Sequence, residues 1–180
     1  MVVLETARLT LRHVADVDRD ALYRVFGDAE VMRFGDGAQT RVWVQGWLAR
    51  CQESYTAWGF GPWAVVEKRT RQVIGYCGLF YIADVNGRPE VEIGYRLARA
   101  YWNHGYATEA ALAVRDYAFD ALDLSRLIAL IDPGNGASIR VAEKIGMRYE
   151  AEVMFEGYDH PDRVYAIERP AARGRGRGGG

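Results

Sequence analysis

Polar and apolar residues alternate over Arg8-Leu9-Thr10-Leu11-Arg12, the period of a half-buried strand. Ala21, Leu22 and Val25 then mark one side of a helix that Asp16 is placed to cap and that runs to about residue 26. Gly35-Asp36-Gly37 reads as a turn. Thr40 stands where it can cap a second helix, whose Val44, Trp47, Leu48 and Cys51 recur at helical spacing as a single stripe. Gly59-Phe60-Gly61-Pro62 breaks that helix. Trp63-Ala64-Val65-Val66-Glu67 has the pattern of a strand, Lys68-Arg69-Thr70-Arg71 turns the chain, and 72–81 returns, which predicts a hairpin. Asn86-Gly87-Arg88-Pro89 predicts a further turn before a strand over 90–97.

In that strand Val91, Ile93, Tyr95 and Leu97 face one way, and Glu92, Gly94 and Arg96 the other. The helix opening at Gly105 carries Ala107, Ala110, Ala111, Val114 and Ala118 on one face, small enough to lie close against a sheet. Arg126-Leu127-Ile128-Ala129-Leu130-Ile131 is nearly continuous in apolar residues, as expected of a strand covered on both faces. Asp132-Pro133-Gly134 turns the chain, Asn135 caps a helix to about residue 145, and Gly146 ends it. Strands over 147–155 and 163–168 close the pattern, joined by Gly157-Tyr158-Asp159-His160-Pro161. This order predicts an α/β fold with a mixed sheet, and a right-handed parallel crossover between residues 92 and 131.

A length of 180 residues suits one domain, placed at 1–169. The remainder, 170–180, contains Arg173-Gly174-Arg175-Gly176-Arg177 and lacks the residues to build a core, so a disordered tail is expected there. Its arginines would give at most a weak contact to RNA; a merely solubilising tail is the plainer reading. A net charge of −1 provides no overall field towards nucleic acid or membrane. The chain has no apolar run of transmembrane length and no secretory signal pattern. Cys51 and Cys77 lack metal-ligand spacing and read as reduced thiols, which makes cytoplasmic the default location. His13, His104 and His160 show no ligand spacing either, so no metal is implied. The apolar helices and late strands leave a homodimer open.

The candidate chemistry begins at Gly105-Tyr106-Ala107-Thr108. A helix start leaves backbone N–H groups unpaired and carries partial positive charge, and a glycine there admits phosphates to the backbone. A phosphorylated cofactor beside a strand end is the expectation.

Glu92-Ile93-Gly94-Tyr95, then Gly105-Tyr106-Ala107-Thr108-Glu109-Ala110, then residues 135–147 beginning Asn135-Gly136-Ala137-Ser138, occur in an order and spacing that resemble the acetyl-CoA-binding core of the GNAT N-acetyltransferases. With the opening Glu5-Thr6-Ala7-Arg8-Leu9-Thr10-Leu11-Arg12, the pattern is similar to the RimJ/RimL-like branch, the ribosomal-protein N-terminal acetyltransferases. The likeness covers residues 5–168. It implies a single-domain GNAT fold, with a mixed central sheet of about seven strands flanked by about four helices. It implies acetyl-CoA as cosubstrate, and as acceptor a primary amine, either a protein N-terminus or a small amine such as an amino acid, a polyamine or an aminoglycoside-like compound. A non-catalytic module that binds acyl-CoA for regulation is the alternative, and thiol release separates the two.

The family's phosphate loop reads Arg/Gln-x-x-Gly-x-Gly/Ala. The likeness carries it onto Trp102, Asn103, His104, Gly105, Tyr106 and Ala107, with Trp102 in place of Arg or Gln and Asn103 where glycine is common. Backbone N–H groups there would bind pyrophosphate, with His104 and Thr108 as side-chain donors. The main chain of Tyr95, Arg96 and Leu97 would pair with the pantetheine arm and present one N–H to the thioester oxygen. Asn135 would cap its helix and also meet the pantetheine amides. Many members carry a tyrosine general acid seven residues after this Asn; here Ala142 stands there, so the role passes to Ser138 or to water. Arg140 and Lys144 are solvated helix charges or contacts to the ribose 3′-phosphate.

Glu92 is the expected general base, because an ammonium must lose a proton before it attacks a thioester. The competing reading is a surface Glu paired with Arg88 or Arg96. His160, beside Asp159 and Asp162 near the acceptor entrance, is either a proton relay or a turn residue satisfied by solvent. Trp43, Trp47, Trp58 and Trp63 read as core or pocket wall. Glu150, Glu152, Glu156, Asp159 and Asp162 make the late region mildly acidic, a weak hint towards cationic acceptors.

Overall fold

The computed structural model describes residues 1–170; the expected Arg/Gly tail and its RNA contact lie outside them, apart from Pro170. In chain order the elements are β1 (Val2–Glu5), β2 (Leu9–His13), α1 (Arg19–Phe26), α2 (Arg41–Trp58), β3 (Pro62–Glu67), β4 (Val73–Val85), β5 (Arg88–Leu97), α3 (Tyr106–Asp120), β6 (Arg126–Ile131), α4 (Gly136–Lys144), β7 (Arg148–Val153) and β8 (Asp162–Glu168). The fold is the expected α/β arrangement, with four α-helices and eight strands rather than seven among the described residues. The additional strand is β1. Its few apolar residues carry little signal alone, and it forms by pairing antiparallel with β2 across an irregular register.

The strands form one mixed sheet in the order β1-β2-β3-β4-β5-β6-β8-β7. Only β5 and β6 run parallel, with α3 as their crossover. The small face of α3 does what its composition predicts. Ala110, Ala111, Val114 and Ala118 are fully buried and pack with Ile93, Leu97, Ala142 of α4 and Ile145 just after it. The other face of the sheet is covered by α1 and α2. There the stripe Val44, Trp47, Leu48 and Cys51 packs around Phe26 and Tyr76. Thr40 caps α2 as expected, its hydroxyl accepting from the Trp43 N–H, and Gly59 ends it with φ 74°.

Two local expectations are corrected. Asp16 is exposed and caps nothing; a short 3-10 turn, Asp16–Asp18, precedes α1. Asp18 is the buried carboxylate, accepting from the Ala15 N–H and from Nη1 and Nη2 of Arg12 at 2.7 Å. Burial with a bidentate partner favours Asp18 over a solvated Asp16. The turn predicted over Asn86-Gly87-Arg88-Pro89 contracts to Asn86 and Gly87, with φ 52° and 88°, and Arg88 opens β5. Two consecutive positive φ values suit a tight hairpin, and Pro89 is accommodated because the β4–β5 register slips between Ile82 and Val85.

The ladder opens a gap at one point. β5 stays paired with β4 as far as Gly75↔Leu97, but its register with β6 holds only around Glu92↔Ile128. Beyond Glu92 the two parallel strands part, and their facing edges no longer satisfy each other.

Candidate active site

A cleft of about 600 Å³ opens where β5 and β6 separate, a volume within the usual range for small-molecule sites. A wider depression of about 720 Å³ beside Met1, His13 and Gln52 contains none of the groups expected to do chemistry. The cleft is lined by Glu92, Tyr95, Arg96 and Leu97 from β5, by Trp102, Asn103, Gly105, Tyr106, Ala107 and Thr108 at the start of α3, and by Asn135 and Ser138 at the start of α4. The residues singled out for catalysis and cofactor binding therefore converge, with the exception of His104. His104 is exposed, its ring Nδ1 lies 2.6 Å from the Trp102 carbonyl, and it does not line the cleft.

The start of α3 is held open by left-handed residues. Asn103 has φ 61° and Gly105 φ 79°, a conformation glycine adopts freely and asparagine tolerates. Gly105 provides no side-chain cap, so the first-turn N–H groups have no such acceptor. Two anchors fix this turn. Beneath it, the Tyr106 hydroxyl donates to buried Glu67 at 2.6 Å. Above it, Arg8 donates to Glu109 at 2.6 Å and to the His104 carbonyl at 2.9 Å, and stacks its guanidinium 4.4 Å over the Tyr106 ring. Thr6 and the Arg8 N–H also donate to Glu109. The opening residues thus lock the loop, a role that needs the tertiary structure to be seen.

At the parting of the strands, Glu92 accepts from the Leu130 N–H at 3.3 Å, replacing a ladder partner that β6 has lost. Neither Arg88 nor Arg96 pairs with it: Arg88 binds Glu90 and Glu150. Burial pushes Glu92 up to about 7; the Leu130 N–H opposes that rise, the charge of Asp162 adds to it and Arg96 opposes it. A carboxyl group with this value exchanges its proton near neutral pH.

Across the cleft, Asn135 caps α4 through its Oδ1, which accepts from the Ser138 N–H at 3.1 Å. The Ser138 hydroxyl lies 3.0 Å from the hydroxyl of Tyr95, which also donates to the Ser138 carbonyl. Burial raises the Tyr95 phenol well above its ordinary range, so it stays protonated. Ala142 is fully buried and does not line the cleft. The hydroxyl of Tyr95 was missed from sequence because only the placement of α4 shows what meets it. The Trp102 indole donates to the Leu97 carbonyl at 2.7 Å, which ties the loop back onto the end of β5.

Towards the other mouth, Phe34, Tyr76 and Phe80 form apolar wall beside Asp132 and Asp162. His160 is exposed and lies outside the cleft lining. Asp159 and Asp132 hold its imidazole above the usual range, at 2.6 and 3.0 Å. Trp47 and Trp63 are core, whereas Trp58 is exposed and stacks on Tyr81. Among the described residues no group of three or more His, Cys, Asp or Glu side chains is placed to hold a metal, and no helix is long and apolar enough to cross a membrane.

The model of the acetyltransferase (GNAT) domain matches residues 8–148. The uncharacterized protein YkkB of Bacillus subtilis (strain 168) is 41% identical over 167 residues, spanning 90% of this chain and 93% of that protein. The uncharacterized N-acetyltransferase YoaA of the same organism is 32% identical over 178 residues, spanning 93% and 97%. Among solved structures, a GNAT-family acetyltransferase from Bacillus anthracis superposes with a TM-score of 0.79 at 28% identity, covering 94% of this chain and 99% of that one.

Proposed function

This chain belongs to the GNAT acetyltransferase family, and from that premise we propose that it transfers the acetyl group of acetyl-CoA to a primary amine by direct attack in a ternary complex, as a member of the RimJ/RimL-like branch. The chain is an N-acetyltransferase. The branch assignment is supported by the opening Glu5-Thr6-Ala7-Arg8-Leu9-Thr10-Leu11-Arg12 taken with the order of the core motifs.

The residues present fit acetyl-CoA. The uncapped first turn of α3 offers N–H groups to a pyrophosphate, with Thr108 beside them and Arg140 and Lys144 on the cleft wall for further phosphate. His104 contributes through its backbone, since its ring is turned onto Trp102. Beyond Glu92, the edge of β5 freed from β6 is available to amides of a pantetheine arm. Acetyl-CoA supplies an activated thioester. Glu92 takes the proton of the acceptor ammonium, directly or through water. A main-chain N–H among Tyr95, Arg96 and Leu97 steadies the charge that develops on the carbonyl oxygen. Ser138 gives a proton to the departing thiolate, and the Tyr95 hydroxyl holds the Ser138 hydroxyl in place across their 3.0 Å contact.

The observation that carries this reading is the placing of Glu92, raised to about 7, and the Tyr95–Ser138 hydroxyl pair along the cleft that the start of α3 opens. Calorimetry with acetyl-CoA, followed by thiol release against peptides and small amines, tests it. Binding with amine-dependent release is expected. Binding without release for any acceptor would leave an acyl-CoA-binding module, and absence of binding would remove the reading altogether.

A further inference from the structure

The Arg96 side chain lines the cleft and takes no part in the acetyl transfer. Its side chain leaves β5 on the face of Glu92, opposite Ile93 and Leu97, and so points away from the packing face of α3. It is half-buried, crosses beside its ladder partner Tyr76, and ends against the segment after α1. Nη1 lies 2.8 Å from the sulfur of Met32. Gly35 is so near that a Cβ there would stand 3.2 Å from Nη2.

A guanidinium has five N–H donors and a thioether is a weak acceptor. No carboxylate among the described residues lies within ion-pair distance of Arg96. Most neighbouring acids are engaged elsewhere: Asp36 accepts from the Tyr158 hydroxyl at 2.6 Å, Glu30 binds Arg33, Asp132 binds His160, and Glu92 takes the Leu130 N–H; Asp162 lines the cleft but makes no ion pair with Arg96. The other guanidinium nitrogens of Arg96 have no partner among the described residues and are not buried, so they are open to a ligand entering the cleft. An arginine fork is shaped for a carboxylate. The cofactor-binding turn of α3 packs against the opposite face, so the group meeting Arg96 comes from the acceptor side.

From this we infer that the acceptor carries a carboxylate as well as its amine, with the amine directed to Glu92 and the carboxylate held by Arg96. The inference rests on the N-acetyltransferase reading and narrows its substrate class. A polycation would place positive charge against a guanidinium that has no ion-pair partner, which disfavours polyamines despite the acidic residues near the mouth.

The test uses thiol release from acetyl-CoA with matched acceptors: free amino acids against their carboxamides, peptides with acidic second residues against the corresponding amides, and spermidine. The carboxylate member should have a kcat/KM about tenfold or more higher, as expected for charge-assisted hydrogen bonds. Arg96→Gln should remove that ratio and Arg96→Lys should retain part of it. A preference confined to free amino acids identifies a small-molecule acceptor, and one shared by acidic peptides identifies a protein terminus. Equal rates within pairs, spermidine as the best acceptor, or an Arg96→Gln variant that keeps the ratio would overturn the inference while leaving the acetyltransferase reading intact. Absence of amine-dependent release with every acceptor would overturn both. The wild-type ratio decides the matter even if Arg96 variants fold poorly.

Discussion

Glu92 stands where β5 and β6 part, so its carboxylate accepts from Leu130 while facing a desolvated wall. Its proton is released near pH 7, so kcat/KM should rise with pH through a limb near that value. Glu92→Gln keeps an oxygen for the Leu130 N–H but cannot take a proton; it should lose that limb and about 10²–10⁴ in rate. A variant with unchanged rate and pH profile would sink the general-base role. The stability effect has a definite sign. The folded value, about 7, lies above the ordinary 4.5, so the native state holds more protons between these pH values and loses stability as pH rises through them. Glu92→Gln should therefore be the more stable protein at pH 8, by at most about 3 kcal/mol, with the difference vanishing below pH 4; denaturant titration at the two pH values checks it. On the other wall, Ser138→Ala should lower kcat with little change in acetyl-CoA affinity, and Tyr95→Phe should do so more mildly. Single-turnover thiol release measures both, and an unaltered Ser138→Ala rate would pass the proton to water.

The loop opening α3 is held from outside itself. Arg8, Thr6 and Glu109 clamp it at the surface and Tyr106–Glu67 pins it below. Removing the Arg8 clamp should loosen the phosphate loop rather than the fold. Arg8→Ala is expected to raise the Kd for acetyl-CoA about fivefold, equivalent to about 1 kcal/mol for a partly exposed charged contact; calorimetry reads it. The β3–β4 pairing depends instead on close backbone approach. A Cβ on Gly78 would lie 2.3 Å from the Gly61 carbonyl oxygen and 2.5 Å from the Pro62 Cα. Gly78→Ala should accordingly destabilise the protein by about 1–3 kcal/mol, the range for overpacking, seen as a lower denaturation midpoint with an unchanged slope. Neither glycine spacing nor hydrophobic period reveals that constraint, because it arises between strands.

At the scale of the molecule, the sheet is one body with α3 and α4 on one face and α1 and α2 on the other, and the cleft cuts into it between β5 and β6. Ligand binding there should stabilise the whole fold by mass action. Acetyl-CoA at 100 times its Kd adds about 2.7 kcal/mol, a rise in melting temperature of roughly 5–10 °C for a chain of this size, and a thermal scan with and without it makes the comparison. The amino-acid sequence by itself determined the α/β alternation, the stripes of α2 and α3, the caps Thr40 and Asn135, and the family motifs that nominate the cleft residues, because periodicity, capping and turn chemistry are local properties of the chain. It did not yield β1, the true carboxylate before α1, or the short Asn86-Gly87 turn, each settled by a partner distant in sequence or by ladder register. Only the tertiary structure decided that β6 leaves β5 after Glu92, that Tyr95 meets Ser138 across the gap, that His104 turns out of the site and that Arg96 faces a thioether. Those are relations between side chains that the backbone brings together from separate elements, and no single segment encodes the distance between them.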